Sequence, residues 1–146
     1  MEYRKGAVIY RTYEQGGVVR AEIDDVKHDA SEAIRRMMLN SDIKMIDTDL
    51  LYASDAAELD YSYYGKARVH SEDEFDITEG ENISRAKALE KYHRAYDKKI
   101  LAFLKDARSL VATIEHYCEK KGIDTSSVLS VDGLKEARFN TSNLKY

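Results

Sequence analysis

The sequence predicts an α+β protein in which an N-terminal antiparallel sheet and a short helix precede a long C-terminal helix or helical hairpin. Three observations support this fold class: two β-rich runs flank a Gly-Gly pair, an amphipathic segment follows them, and helical periodicity fills the second half. Strands and helices segregated along a chain are typical of α+β folds. We expect a single domain over residues 1–146, with a sheet-rich half at 1–76 and a helical half at 77–146.

The first predicted element is a β-hairpin. Residues 6–13 (GAVIYRTY) and 18–24 (VVRAEID) are rich in β-forming residues, and Glu14-Gln15-Gly16-Gly17 separates them. A Gly-Gly pair between two such runs is typical of a tight hairpin turn, because glycine adopts the positive φ angles that the turn requires. The sheet therefore begins with two antiparallel neighbours.

A short helix is predicted over residues 29–40, with Asp29 as its cap and an apolar stripe along one side. Residues 43–53 fit a strand or a helix equally well. The tyrosine-rich run at 59–70 favours strands, and Gly65 within it predicts a bend or bulge. A weak second helix is expected near residues 133–139.

The long helix is the most informative element of the chain. Thr78 and Glu81 have the spacing of a capping box, apolar residues recur at helical intervals from Ile83 to Tyr117, and Gly122 is placed as a stop. About 40 helical residues would span ~60 Å, well beyond the ~13 Å radius of gyration of a domain of roughly 100 residues. The helix therefore either bends back or packs against another subunit, and we expect a homo-oligomer, a dimer or larger.

Composition limits the classes of protein that fit. The 146 residues carry a net charge of −4 and are 43% hydrophobic, with Cys118 as the single cysteine. A lone cysteine fits a reducing compartment, and no run approaches the ~20 apolar residues of a membrane span. The N-terminus lacks the apolar core of a secretory signal. We expect a protein without membrane attachment that is cytoplasmic, or active in a host cytoplasm.

The sequence contains no recognisable catalytic or metal-binding set. The four histidines show no paired ligand spacing, and phosphate-binding or dinucleotide-binding glycine motifs do not occur. Cys118 and His116 are two positions apart on a helix and so point in different directions. We therefore expect a non-enzymatic protein with no cofactor and no metal.

Charge is distributed unevenly along the chain. Acidic residues dominate residues 41–80, where Lys44, Lys66 and Arg68 are the opposing cations, whereas the long helix is rich in lysine and arginine. One interpretation is a solvated helix face beside an acidic lobe. The other is a local phosphate-binding patch, because local potential decides whether a small anion is captured. The negative net charge argues against bulk binding to nucleic acid.

The densest cluster of candidate site residues surrounds the start of the long helix. Phe75 follows an acidic turn there, and its ring could pack on the first helical turn as a hydrophobic staple or stack on a nucleobase. Asn82 and Arg85 lie in the first turns, where free N–H groups and the helix dipole favour phosphate. Arg68 belongs to the same cluster and is a further candidate for binding the ligand.

The segment from Gly65 to Ala86 resembles one found in small phage proteins. It contains Gly65-x-Ala67, Asp73-x-Phe75-Asp76, Gly80 and Ile83-x-Arg85-Ala86. With the order of β-rich and helical halves, it is similar to the phage Thoeris anti-defense sponges.

That resemblance implies a homo-oligomer that binds a cyclic ADP-ribose isomer between subunits and sequesters it without cleavage. It also implies that Phe75 stacks on the base, that Asn82 and Arg85 make polar contacts, and that Arg94 and Lys98 are the nearest candidates for the diphosphate. The same segment resembles a double-stranded-RNA-binding-like fold, so the alternative is a module that binds a host protein or nucleic acid.

Overall fold

The structure is a computed structural model that describes residues 10–40, 56–68, 70, 74, 76–128 and 130–139. Its helices and strands are, in chain order, β1 (Tyr10–Gln15), β2 (Val18–Ile23), α1 (Asp29–Leu39), β3 (Tyr63–Arg68), α2 (Ile77–Lys121) and α3 (Val131–Phe139). This order confirms the α+β prediction. The predictions for residues 6–9 and 43–53 lie outside the described residues.

The chain divides into two compact units, residues 1–105 and residues 106–146, and the boundary lies within α2. The first unit contains the sheet, α1 and residues 77–105 of α2. The second contains residues 106–121 of α2 together with α3. The expectation of a single domain stays a prediction.

In the described part of the first unit the sheet has three strands in the order β1-β2-β3, and both neighbouring pairs are antiparallel. Gly16 and Gly17 connect β1 to β2 with φ angles of 60° and 73°. Positive φ at both central residues is the requirement of a type I′ turn, whose twist matches that of the flanking strands. The predicted hairpin is present for this reason.

One face of the sheet is covered by α2, and glycine makes the approach close. A Cβ on Gly65 would overlap the carbonyl oxygen of Ser84 and would lie 2.7 Å from the amide nitrogen of Ala88. On the helix side, a Cβ on Gly80 would lie 2.6 Å from Cγ2 of Val19. The expectation of a bend or bulge at Gly65 is wrong, since β3 pairs with β2 in continuous register; the residue is needed for helix-to-strand contact.

The core of the first unit is centred on Tyr92 of α2, which is 2% exposed. Its ring lies 6.1 Å from that of Tyr63 and 6.0 Å from that of Tyr96, and its hydroxyl donates a hydrogen bond of 2.8 Å to Asp29. Asp29 is therefore not the cap of α1 that the sequence predicts. The cap position belongs to His28, and Asp29 is the first helical residue, where its carboxylate accepts from the buried tyrosine.

Both ends of α2 are capped, but the N-terminal cap differs from the prediction. Asp76 accepts hydrogen bonds from the amides of Thr78 and Glu79 at 2.8 and 3.2 Å, so the helix begins at Ile77 and Thr78 lies inside it. At the other end Gly122 has a φ of 65°, and the paired bonds of a Schellman motif close the helix. The predicted stop at Gly122 is confirmed.

Candidate functional site

A groove of about 320 Å³ lies between β3 and α2 in the first unit. It is lined by Tyr64, Lys66, Lys87, Glu90, Lys91 and Arg94. Four of these six side chains are cationic and one is anionic, so the groove carries excess positive charge within an acidic protein. Such a concavity attracts small anions, because local potential rather than net charge governs their capture.

Two periodicities bring these side chains to one place. In β3 the residues alternate, so that Tyr64 and Lys66 are exposed while Gly65 is buried against the helix. In α2 the basic positions 87, 91 and 94 recur at intervals of four and three, which places them along one side of the helix. The close approach at Gly65 then sets strand and helix cations beside each other.

Tyr64 presents an aromatic surface within this positive region. Its side chain is 48% exposed. The ammonium of Lys91 lies 4.8 Å from the ring centroid, the guanidinium of Arg20 lies 5.3 Å from it, and the ammonium of Lys66 lies 5.7 Å from it. Cation–π contacts of this kind contribute ~0.5–1 kcal/mol each at exposed sites and leave the positive charge in place. These contacts hold the ring in a fixed orientation. A planar anionic ligand could stack on it beside the same cations.

Backbone carbonyls of β3 position the helix lysines. Nζ of Lys91 donates to the carbonyl oxygen of Tyr64 at 2.9 Å, and Nζ of Lys87 donates to that of Lys66 at 3.1 Å. An ammonium group has three N–H donors, and each of these bonds uses one. The lysines are thus directed toward the groove while retaining capacity to donate to oxygens of a ligand.

Among the residues that the structure describes, Glu90 is the one carboxylate that lines the groove, and Arg94 pairs with it at 2.6 Å. Both side chains are largely exposed, and ion pairs of this type contribute ~0–1 kcal/mol. A phosphate oxygen could therefore replace the carboxylate as partner of Arg94 at small cost. Arg94 also borders a second hollow of about 680 Å³, where it and Lys98 face Glu90 and Asp97 in balanced numbers.

The predicted site residues do not all lie at the groove. Arg94 lines the groove, and Lys98 lines the adjoining hollow. Arg68 is exposed at the end of β3, and Asn82 is exposed near the start of α2, but neither lines the groove. Phe75 lies outside the described residues, so its predicted stacking role stays a prediction.

Arg85 is engaged with the opposite edge of the sheet. Its guanidinium lies 3.5 Å from the carboxylate of Glu81 and 5.7 Å from the ring centroid of Tyr10. Burial raises the pKa of the Tyr10 hydroxyl, and the positive charge of Arg85 offsets part of that rise. Thr12 of β1 donates to the same glutamate at 3.3 Å, so the carboxylate bridges strand and helix rather than closing a capping box.

Helical geometry separates the predicted residues into two groups. Arg85 and Arg94 are nine positions apart, which is about 900° of rotation and places them on opposite sides of α2. Arg94 and Lys98 are four positions apart and share a side. The structure therefore brings Arg94 and Lys98 together and keeps Arg85 away from them.

The described ranges contain neither a cluster of metal-ligating side chains nor a membrane-spanning helix. Within them, no group of three or more histidine, cysteine, aspartate or glutamate side chains is arranged to hold a metal ion. None of the helices in the described part of the chain combines the length and apolarity that crossing a bilayer requires.

Comparison with known proteins gives no relative. No protein-family profile matches the chain, and neither the curated proteins nor the solved structures yield a match.

Proposed function

We propose that this protein binds a small anionic nucleotide in the groove between β3 and α2 and holds it without cleaving it. The observation that carries the proposal is the half-exposed ring of Tyr64 surrounded by cations from three elements: Arg20, Lys66 and Lys91. A nucleotide combines a planar base with phosphate oxygens, and the groove offers a partner for each. Stacking on an aromatic ring contributes ~1–3 kcal/mol per base.

The phosphate partners would be Lys87, Lys91 and Arg94. The two lysines supply point charges already directed by strand carbonyls, and Arg94 supplies a planar fork that suits bidentate contact with phosphate. A volume of about 320 Å³ lies at the lower end of the range for small-molecule sites, and the adjoining hollow extends it.

The ligand class and the biological setting follow from the resemblance of residues 65–86 to phage Thoeris anti-defense sponges. On that basis the ligand is a cyclic ADP-ribose isomer, and the protein acts in the host cytoplasm as a homo-oligomer that removes an immune signal. The resemblance also implies contacts from Phe75, Asn82 and Arg85. Asn82 and Arg85 do not line the groove, so they are not contacts of a ligand held there, and the role of Phe75 stays a prediction.

Isothermal titration calorimetry with cyclic ADP-ribose isomers, ADP-ribose and cyclic dinucleotides tests the proposal. We expect saturable heat with at least one of them. Replacing Tyr64→Ala should weaken binding by ~1–3 kcal/mol, or roughly 5- to 150-fold, because the stacking surface is lost. Tyr61→Ala is the matched control, since Tyr61 is also exposed but does not line the groove.

Three results would distinguish the parts of this proposal. An absence of heat with every nucleotide would contradict the proposed nucleotide binding. Equal effects of Tyr64→Ala and Tyr61→Ala would show that the groove is not the binding site. Ligand recovered intact by chromatography after long incubation is expected for sequestration. Recovery of a cleaved product would instead show an enzyme.

The alternative is a module that binds nucleic acid through the outer face of the sheet. Arg20 favours it, because its guanidinium lies 5.8 Å from the ring of Tyr13 and 5.3 Å from that of Tyr64, both half-exposed. The dependence of binding affinity on salt concentration distinguishes the two functions. An extended phosphate contact loses affinity steeply as salt increases, whereas a small ligand contacting a few cations responds less.

A further inference from the structure

Residues 106–121 of α2, in the second unit, carry an apolar stripe that the described residues leave exposed. Leu110, Val111, Ile114 and Tyr117 are each between 45% and 57% exposed. Together with Ala107 they follow heptad spacing: positions 107, 110, 114 and 117 alternate steps of three and four, and 111 widens the stripe. This spacing is the signature of a helix that packs along another helix.

The opposite side of the same segment is polar. Arg108, Glu115, His116 and Glu119 lie there, and His116 approaches the carboxylate of Glu119 at 3.8 Å. The segment is thus amphipathic with a narrow apolar seam, which is the pattern of a two-helix contact rather than of a buried core helix.

We propose that this seam pairs in antiparallel orientation with the same seam of a second copy of the chain. A two-fold axis near residues 112 and 113 would set Leu110 against Ile114 of the other copy and Ala107 against Tyr117. In the layer where Ala107 meets Tyr117, a small side chain opposes a large one, so the side-chain volumes match. A parallel pairing in register would set Tyr117 against Tyr117 and Ala107 against Ala107, which leaves one layer overfilled and another empty.

Charge supports the same orientation. Asp106 and Lys120 occupy equivalent flanking positions of the two heptads, one at each end of the segment. In the antiparallel arrangement each faces the other across the contact, and the two-fold axis produces the ion pair twice. In a parallel arrangement these flanking residues would face Val111 and the end of the helix, so neither would find an opposite charge. The inference does not depend on the nucleotide proposal, because the groove belongs to the first unit.

Sedimentation analysis of the full chain tests the pairing. The weight-average mass should rise toward twice the 16.7 kDa of one chain as the concentration increases over roughly 1 to 300 μM. Leu110→Asp with Ile114→Asp should keep the mass at that of one chain, while Ala112→Asp, on the polar side, should leave association unchanged. A constant monomer mass for the unmodified chain, as expected if another part of the same chain covers the stripe, overturns the proposal.

Charge reversal tests the partner positions. Asp106→Lys alone should weaken association by roughly tenfold, since two exposed ion pairs become two repulsions. Adding Lys120→Asp to the same chain should restore it. Failure of the second change to restore association rules out the proposed opposition of these residues.

Spin-label distances test the orientation. In a Cys118→Ser background, labels at Thr113→Cys should lie close together across the dimer, because residue 113 is near the two-fold axis. Labels at Lys120→Cys, one heptad beyond residue 113 and on the same side of the helix, should be farther apart by an axial offset of about 20 Å. Equally short distances at both positions would show a parallel contact and contradict the inference.

Discussion

The contact between Gly65 of β3 and the backbone of α2 predicts a large effect from a very small change. In Gly65→Ala the new methyl group would overlap the carbonyl oxygen of Ser84 and would lie 2.7 Å from the nitrogen of Ala88 and 2.8 Å from Cβ of Lys87. Ordinary contacts between such atoms are about 3.5–4.0 Å. The strand or the helix must therefore move by roughly 1 Å, because no flexible side chain can turn aside.

The expected cost follows from what obstructs the methyl group. Overpacking a well-filled interior typically costs ~1–3 kcal/mol, and the upper part of that range applies where the obstruction is helix backbone. We therefore expect Gly65→Ala to lower the free energy of unfolding by about 2–3 kcal/mol. Urea unfolding followed by circular dichroism measures this as a lower midpoint at similar slope.

Gly80→Ala is the matched control at the same interface. Its new methyl group would lie 2.6 Å from Cγ2 of Val19, which belongs to a side chain, and alanine is preferred to glycine inside a helix by ~1 kcal/mol. The overpacking cost is thus partly offset, and the net loss should be about 0–2 kcal/mol. The reasoning is refuted if Gly65→Ala is as stable as the unmodified chain, or if it costs less than Gly80→Ala.

Three further changes have directions fixed by the local surroundings of one side chain each. Asp76→Ala removes the acceptor for two amides at the start of α2 and should lower the free energy of unfolding by ~0.5–2 kcal/mol in urea titration, whereas Asp76→Asn should lose little. Tyr92→Phe removes the partly buried hydrogen bond to the carboxylate of Asp29 and should cost ~1–3 kcal/mol; thermal unfolding at an unchanged midpoint would contradict this. Burial raises the pKa of Tyr10, so the folded chain keeps a proton that the unfolded chain loses near pH 10. Stability should thus be full below about pH 10 and fall above it, and Tyr10→Phe should make that alkaline fall shallower when urea midpoints are compared across pH.

The sequence predicts the elements that depend on local signals. The Gly16-Gly17 pair determines the hairpin, because both residues need positive φ, and Gly122 determines the end of α2 for the same reason. The start of α2 is less determined, since Thr78 has capping-box spacing with Glu81 but Asp76 is the residue that caps the helix. Tertiary contact decides between them: Thr12 and Arg85 occupy the carboxylate of Glu81 that a capping box would have used.

The candidate site is harder to predict because it depends on how two elements meet. Lys87, Lys91 and Arg94 have visible helical spacing, and Tyr64 and Lys66 have visible strand alternation. Neither pattern indicates that the basic side of α2 lies beside the exposed side chains of β3. Their convergence depends on the close approach at Gly65, and a glycine in a strand is equally compatible with a bulge. The family resemblance points to Arg94 as a candidate, whereas Tyr64, Lys66, Lys87 and Lys91 are recognised as groove residues only from the packing.

The bonds from Lys87 and Lys91 to β3 have a consequence for solubility. In the described part of the sheet, β3 is an outer strand, and such a strand can recruit strands from other molecules into fibrils. The two ammonium groups occupy carbonyl oxygens that an incoming strand would need. Acetylation or removal of both lysines should therefore promote slow aggregation. The residues proposed to bind a ligand would then also protect the edge of the sheet from pairing with strands of other copies.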